Sequence, residues 1–245
     1  MPLSASAAKA LAAAGMQFAC RYLVPANYAW KRLTRPEAEA ISAAGMTIIS
    51  VYETAANRPA GGAAAGANDG AAAYKEAVAI GQPAGSAIYF AVDYDARSAD
   101  YDAIEAYLKA AAAQIGPYKA GVYGSYTVIE EMAGRGAAAH FWQTYAWSRG
   151  RRSGRVNIFQ YKNGQTVAGV QVDLNDSYGN EGGWSTVTFN DVPGNSPAKE
   201  AIELVSDLGL MQGYGDGTFK PNQPVTRAEL AIVLARLAAM INKGS

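Results

Sequence analysis

The chain has 245 residues, 50% hydrophobic and 17% charged, with 21 Lys+Arg balanced by 21 Asp+Glu. Zero formal net charge argues against nucleic acid as the main partner, because no basic excess is present to displace phosphate counterions. One cysteine (Cys20) and one histidine (His140) leave no disulfide framework and no His-based metal site, so no cofactor is expected; no apolar run reaches the roughly 18 residues of a membrane span.

The chain opens on MPLSASAAKALAAAG, which lacks the basic stretch of a secretory signal, so export by another route or a trimmed end is expected. Roughly a fifth of the residues are Ala, mostly before position 140. Ala favours helix and lets helices approach a sheet closely. Ala-rich segments with helical spacing run over about 4–14, 35–44, 66–80, 98–114 and 125–134. Strand-length runs rich in Val, Ile, Tyr and Phe lie between and after them: Phe18–Leu23, Met46–Glu53, Ala87–Asp95, Lys119–Ser125, His140–Ala146, Val156–Tyr161 and Val167–Asp173. Gly15, Gly45, Gly81 and Gly116 sit where helices end, and Pro36 where one starts. The stretch 61–70, GGAAAGANDG, reads as flexible, with Asn68 or Asp69 capping the next helix.

Such alternation predicts a mostly parallel sheet in an α/β fold. Seven strands before a change of texture suit a TIM-like (β/α)8 barrel lacking its first strand. An open doubly wound sheet is the competing architecture. Near residue 182 the chain becomes rich in Gly, Pro, Asn and Ser, which divides it into domains at 1–184 and 185–245. The second is predicted as helix Ala198–Leu208, a turn-rich loop, and helix Arg227–Ile241 opened by Thr226 with Glu229 three residues on. About 50 residues make too small a core for strong independent stability, so docking or self-association is expected.

The run Ile88-Tyr-Phe-Ala-Val-Asp93-Tyr-Asp95 is the sharpest chemical feature. Residues i and i+2 of a strand face one side, so Asp93 and Asp95 are expected together at the C-terminal end of an apolar strand. A barrel carries its active site there. Two close carboxylates repel, so one keeps its proton, which suits a general acid beside an anion. Helix capping is the alternative, above all for Asp95. Glu53 and Asp173 end two other strands. Tyr123, Tyr126, Gln143, Tyr145, Gln160 and Tyr161 add rings and amides, and the set describes a carbohydrate cleft.

The motifs IYFAVDYD, GVYGSY, HFWQTYAW, NIFQY and VQVDLN, in that order, resemble the glycoside-hydrolase-like domain known as domain of unknown function 1906. That family is similar to the family 25 lysozymes, barrel enzymes that cleave peptidoglycan glycan strands. The resemblance covers about residues 3–184. It implies a lysozyme-like barrel with Asp93 and Asp95 at the lysozymes' Asp-x-Glu, and Asp173 and Asn175 in the late VDLN pattern. The implied roles are Asp95 as acid, Asp93 as its electrostatic partner, and Asp173 or Glu53 as orienting carboxylates. Tyr123, Gln160 and Tyr161 would hold the sugar, with retention through a nucleophile or the substrate's N-acetyl group. Asp replaces Glu at 95, and the lysozymes' first-strand Asp has no counterpart in this chain. Those departures keep a second reading open: a non-catalytic wall-polysaccharide-binding or envelope-structural protein.

Residues 189–240 resemble one S-layer homology motif in FNDV, AKEAIELV, GYGDGTFKP and VTRAEL. That family binds secondary cell-wall polysaccharide, often pyruvylated. The resemblance implies Arg227 as ligand to an anionic saccharide, beside Thr226, with Gly215 in a tight turn. An ion pair of Arg227 with Glu229 or Asp216 is the alternative. Pro197 stands where the family commonly has Trp, and one motif is found where the family usually has three, so a homo-oligomer is a further expectation. Together the two resemblances imply an extracellular protein of a bacterial cell wall or surface. The run Arg149–Arg155, with four arginines, reads either as a contact for anionic wall polymer or as a solvated loop.

Overall fold

The computed structural model describes residues 2–186, 189–193, 195–214 and 216–243. They form two compact units, residues 1–80 with 85–185 and residues 81–84 with 186–245. The first runs α1 (Ala5–Ala13), β1 (Phe18–Tyr22), α2 (Arg35–Ala43), β2 (Thr47–Tyr52), α3 (Gly62–Ala79), β3 (Ala87–Ala91), α4 (Tyr101–Gln114), β4 (Lys119–Gly124), α5 (Tyr126–Gly134), β5 (His140–Thr144), β6 (Ile158–Val167) and β7 (Val170–Ser177). One sheet holds the strands in sequence order, β1 to β6 parallel and β7 antiparallel to β6.

Side-chain alternation gives the sheet two faces. Ile48, Ile88, Phe90, Val92 and Val122 pack outward with Ile41, Ile104, Leu108, Ile129 and Met132 from the helices, all fully buried. Burying side chains of this size contributes about 1.5–3 kcal/mol each, so this layer is the main support of the unit. The other face gathers Phe18, Cys20, Tyr22, Ile49, Val51, Tyr89, Tyr123, Trp142 and Ile158 into a second cluster. Side chains from β1 through β6 meet there because the sheet curls into a half-barrel. Tyr89 fits inside because Gly121 has no side chain: a Cβ there would lie 2.6 Å from the ring.

Three expectations are corrected. The Gly-rich stretch 61–70 is helical, not flexible: α3 starts at Gly62, and a Cβ on Gly70 would lie 2.6 Å from the Ala111 carbonyl oxygen of α4. Asp69 caps nothing; it is buried, 2.9 Å from Arg58 Nε and 2.8 Å from the Tyr107 hydroxyl. The last two strands are a hairpin, turned by Ala168 and Gly169 at φ +47° and +79°. A two-residue connection cannot carry a parallel crossover. Among the described residues β7 does not pair with β1, so the sheet stays open there. Trp184 makes an antiparallel bridge to Ile48 and donates its indole N–H to Ser50 Oγ at 2.9 Å.

The second unit contains α6 (Lys199–Asp207) and α7 (Arg227–Lys243). Its loops are tied by carboxylates. Asp191 accepts from the backbone N–H of Phe219 and Lys220 at 2.8 and 2.7 Å, and Asp216 accepts from Thr218 N at 3.0 Å. Thr226 and Glu229 form the expected capping box, with Thr226 N donating to Glu229 Oε2 at 2.7 Å and Glu229 N to Thr226 Oγ1 at 3.2 Å. Among the described residues no helix is long and apolar enough to cross a membrane.

Candidate active site

The inward phase of β2 (Ile49, Val51) and of β3 (Tyr89, Ala91) continues one step past each strand, to Glu53 and Asp93. Asp93 N donates to Ala56 O at 3.2 Å, which ties the loops after β2 and β3 together. Glu53 and Asp93 line a cavity of about 1240 Å³ with Tyr22, Tyr123, Gln160, Tyr161, Asp173 and Asn175. Carboxylates from three separate stretches of chain therefore share one hollow at the mouth of the curled sheet.

Their surroundings differ. Burial raises the Asp93 pKa; the Lys31 charge pulls it back in part, and Asp173 adds to the rise. Among the described residues nothing donates a hydrogen bond to the Asp93 carboxyl. Burial also raises Glu53, opposed by Lys31 and by a hydrogen bond from Tyr22, with Asp93 adding to the rise. Asp173 is held at both oxygens: Gly164 N donates to Oδ1 at 2.8 Å and Gln160 Nε2 to Oδ2 at 3.2 Å. Gln160 in turn accepts from the Tyr123 hydroxyl at 2.7 Å. The Tyr22 and Tyr123 hydroxyls are pushed well above the usual tyrosine range by burial, so they stay protonated donors.

Lys31 was missed from the sequence. It sits in the loop between β1 and α2, 7% exposed, with Nζ 3.9 Å from Glu53 Oε2 and 4.3 Å from the centre of the Tyr22 ring. The Trp30 and Tyr28 rings lie 5.4 and 5.8 Å away. Its one sequence signal was the cluster of rings in Asn27-Tyr-Ala-Trp-Lys31.

Not every expected residue joins the cavity. Asp95 does not: β3 ends at Ala91, the chain leaves extended geometry, and the i, i+2 relation to Asp93 lapses. Its side chain is 56% exposed and 3.9 Å from Arg97. Nor does it cap a helix; Asp100 takes the Arg97 N–H instead, at 2.8 Å. Gln143 lies on the outward phase of β5 and is fully buried. It accepts from Ser153 N and donates to Arg151 O, both at 2.8 Å, so it holds a loop instead of a ligand. Tyr126 starts α5 and stacks under Arg151, and Tyr145 is exposed; neither lines the cavity. Asn175 lines it, but its amide is engaged by Trp142 Nε1 at 2.8 Å and the Asp173 carbonyl at 3.0 Å. Among the described residues no group of three or more His, Cys, Asp or Glu is placed to hold a metal ion.

In the second unit a groove of about 300 Å³ is lined by Tyr214, Lys220, Glu229 and Arg236 among others. Thr226 and Arg227 do not line it. Arg227 is exposed and, among the described residues, makes no ion pair, so the pairing with Glu229 or Asp216 does not form. Gly215 lies outside the described residues.

Comparison with known proteins bears on both units. Residues 9–178 match the Rv2525c-like, glycoside hydrolase-like domain, and residues 188–231 the S-layer homology domain. Among solved structures, the Tat-secreted protein Rv2525c of Mycobacterium tuberculosis, in complex with L-tartrate, is 28% identical. Its TM-score is 0.66, covering 73% of this chain and 93% of that one. An uncharacterized B. stearothermophilus protein, 20% identical with a TM-score of 0.51 over 66% of this chain and 84% of its own, shares the fold. Outer membrane protein SlpA of Thermus thermophilus is 38% identical over 61 residues, 25% of this chain and 7% of that protein. A cellulosome-anchoring protein of Acetivibrio thermocellus is 39% identical over 59 residues, 24% of this chain and 13% of its own length. This chain thus spans a small fraction of those two relatives. With more than half its length matched, the chain belongs to the Rv2525c-like glycoside hydrolase-like family and joins that domain to an S-layer homology domain.

Proposed function

We propose that the protein is a hydrolase of bacterial wall glycan, with peptidoglycan as substrate and Asp93 as general acid. The observation that carries this reading is the convergence of Glu53, Asp93 and Asp173 on one cavity. Its volume exceeds the roughly 300–1,000 Å³ of most small-molecule sites and suits a polymer. Asp93, desolvated and without a hydrogen-bond donor, holds its proton to higher pH than an ordinary aspartate and delivers it to the leaving glycosidic oxygen. Asp173, fixed by Gln160 and Gly164, is the carboxylate placed to offset positive charge on the sugar ring. Glu53, tethered to Lys31, orients the substrate or the water. Tyr161 offers a ring face and Tyr123 a donor. The scaffold is read as a (β/α)8 barrel without its first strand, the open side between β1 and β7 being where that strand would pair.

The S-layer homology unit attaches the protein at the cell wall or surface through an anionic wall polysaccharide, with the exposed Arg227 as its ligand. Leu230, Leu234, Leu237 and Ile241, all exposed, recur every three or four residues along α7. Such a stripe favours self-association. Light scattering is expected to show an oligomer that Leu234→Glu reduces to monomer.

The test is release of reducing ends from purified peptidoglycan. Wild type and Asp95→Asn should act equally and Asp93→Asn should be at least about 100-fold slower. The second reading, a non-catalytic wall-glycan binder, is favoured by Asp95 standing outside the cavity. Wild type that retains glycan without cutting it, with retention surviving Asp93→Asn, would establish that reading instead.

A further inference from the structure

We infer that the loop Tyr145–Arg155, between β5 and β6, is a second saccharide site on the barrel unit, one that takes an anionic polysaccharide. Arg149, Arg151 and Arg152 would hold its phosphate or carboxylate groups, and a sugar ring would lie on Trp147. The site does not depend on whether the acidic cavity is catalytic.

Four observations support it. First, every other crossover between parallel strands contains a helix, α2 to α5, and this one contains none. The helix is replaced by a segment with four arginines in a chain of zero net charge.

Second, the loop is fixed from beneath, as a merely solvated loop would not need to be. Gln143, Ser148 and Ser153 are 0–2% exposed. Gln143 binds the backbone of Arg151 and Ser153. Ser148 Oγ donates to Thr144 O at 2.6 Å and accepts from Tyr126 N at 2.9 Å. A surface held in place before binding loses little freedom on contact.

Third, two non-glycine residues sit in the left-handed region, Trp147 at φ +55° and Arg149 at φ +51°. That conformation is disfavoured for a side chain as bulky as indole, yet it leaves Trp147 41% exposed beside Tyr145, 45% exposed. Exposed rings suit the C–H faces of sugars.

Fourth, the arginine charges are not cancelled. The Arg151 guanidinium lies 4.1 Å from the centre of the Tyr126 ring and that of Arg152 4.5 Å from the Tyr178 ring. Among the described residues no carboxylate lies within ion-pair range of Arg149, Arg151 or Arg152; Arg155 alone in the loop has one, Glu130 at 3.7 Å. A stacked guanidinium keeps its N–H edge for a planar anion. The acidic cavity repels such a polymer and this loop attracts it, so the two sites discriminate by charge.

The experiment measures binding of the full chain to polygalacturonate, to poly(glycerol phosphate) and to uncharged dextran, all in an Arg227→Gln background that removes the proposed anion ligand of the S-layer homology unit. The expected result is polyanion binding that exceeds dextran binding and that drops about tenfold or more in R149Q/R151Q/R152Q. Loss for polygalacturonate alone assigns the carboxylate and loss for poly(glycerol phosphate) alone the phosphate; either supports the site. Trp147→Gly should weaken binding severalfold while its thermal midpoint stays level or rises, because glycine relieves the positive φ. Absence of polyanion binding, equal binding of dextran, or a triple variant that binds both polyanions like its parent would overturn the proposal.

Discussion

The same chemical group behaves in opposite ways in the two units. In the first unit, Glu53 and Asp93 are half-buried, and that burial raises their pKa. In the C-terminal unit, Asp216 and Glu229 are exposed and Asp191 half-buried, and the three accept hydrogen bonds from Thr218, Thr226 and Phe219, which lower their pKa. The second set fastens loops and a helix start, as carboxylates do when selection acts on stability. In the first set Glu53 has only the Lys31 and Tyr22 contacts to offset its desolvation and Asp93 accepts no hydrogen bond among the described residues, so both are destabilising while charged. A protein retains carboxylates that cost stability where the cost offsets a gain elsewhere, and under the hydrolase proposal that gain is chemistry.

The contrast breaks most visibly at Asp93. Asp93→Asn is expected to slow glycan cleavage at least about 100-fold and to raise the thermal midpoint at neutral pH, since it removes a desolvated charge. A lower midpoint would mean that Asp93 is a structural carboxylate like Asp191. Next in size is Lys31→Met, which keeps the stem among the rings of Tyr22 and Trp30 and deletes the charge. Lys31 favours the ionised forms of Glu53 and Asp93, so its loss raises both. Both limbs of the pH–rate profile should move to higher pH, by about one unit. An unmoved profile would show that Lys31 serves packing alone.

What was legible from the sequence divides along the range of the interactions. The Thr226–Glu229 box is three residues long, and it forms as read. The strands β1 to β5 were legible because short apolar runs end in glycine or polar residues, and the inward phase of β2 and β3 led to Glu53 and Asp93. Asp95 misled because β-branched Val92 prolongs the apolar run, whereas the β3 ladder stops at Ala91. The β6–β7 hairpin was not read from the sequence, because its turn, Ala168-Gly169, carries no Asn-Gly or Asp-Gly pair. Asn163-Gly164 is the pair that most often closes a two-residue hairpin, yet it lies inside β6, at an irregularity in the β6–β7 register. Gly164, at φ +63°, there turns its N–H to Asp173. Lys31 was out of reach because its loop is placed by a distant pairing, Leu33 N to Tyr22 O at 2.8 Å, that no local pattern announces.

Acid sharpens the comparison further. All four tryptophans, Trp30, Trp142, Trp147 and Trp184, belong to the first unit. Their fluorescence therefore reports that unit, and far-ultraviolet dichroism reports both. Carboxylates with lowered pKa contribute stability above the unfolded value that is lost as pH falls through the folded one. Those with raised pKa do the reverse, binding protons in the folded state first. From neutral pH down to about pH 5, Glu53 and Asp93 therefore make the fluorescence midpoint hold or climb. Below about pH 4 the C-terminal helices should melt earlier as Asp191, Asp216 and Glu229 take protons. A fluorescence midpoint that falls in step with the dichroism over the upper range would contradict the assignment of opposite signs.

The smallest effect belongs to the helix start. Thr226→Ala removes the Oγ1 that accepts from Glu229 N and leaves one more N-terminal amide of α7 without a partner in the protein. The expected cost is about 1 kcal/mol, seen as an earlier dichroism transition with tryptophan fluorescence unmoved, and Thr226→Ser should restore it. Because Arg227 follows directly, the same variant separates two roles for this turn. If Thr226→Ala loses wall-polysaccharide binding at a temperature where α7 is still folded, the hydroxyl touches the ligand; if binding fades only as α7 melts, Thr226 acts by setting the helix that presents Arg227.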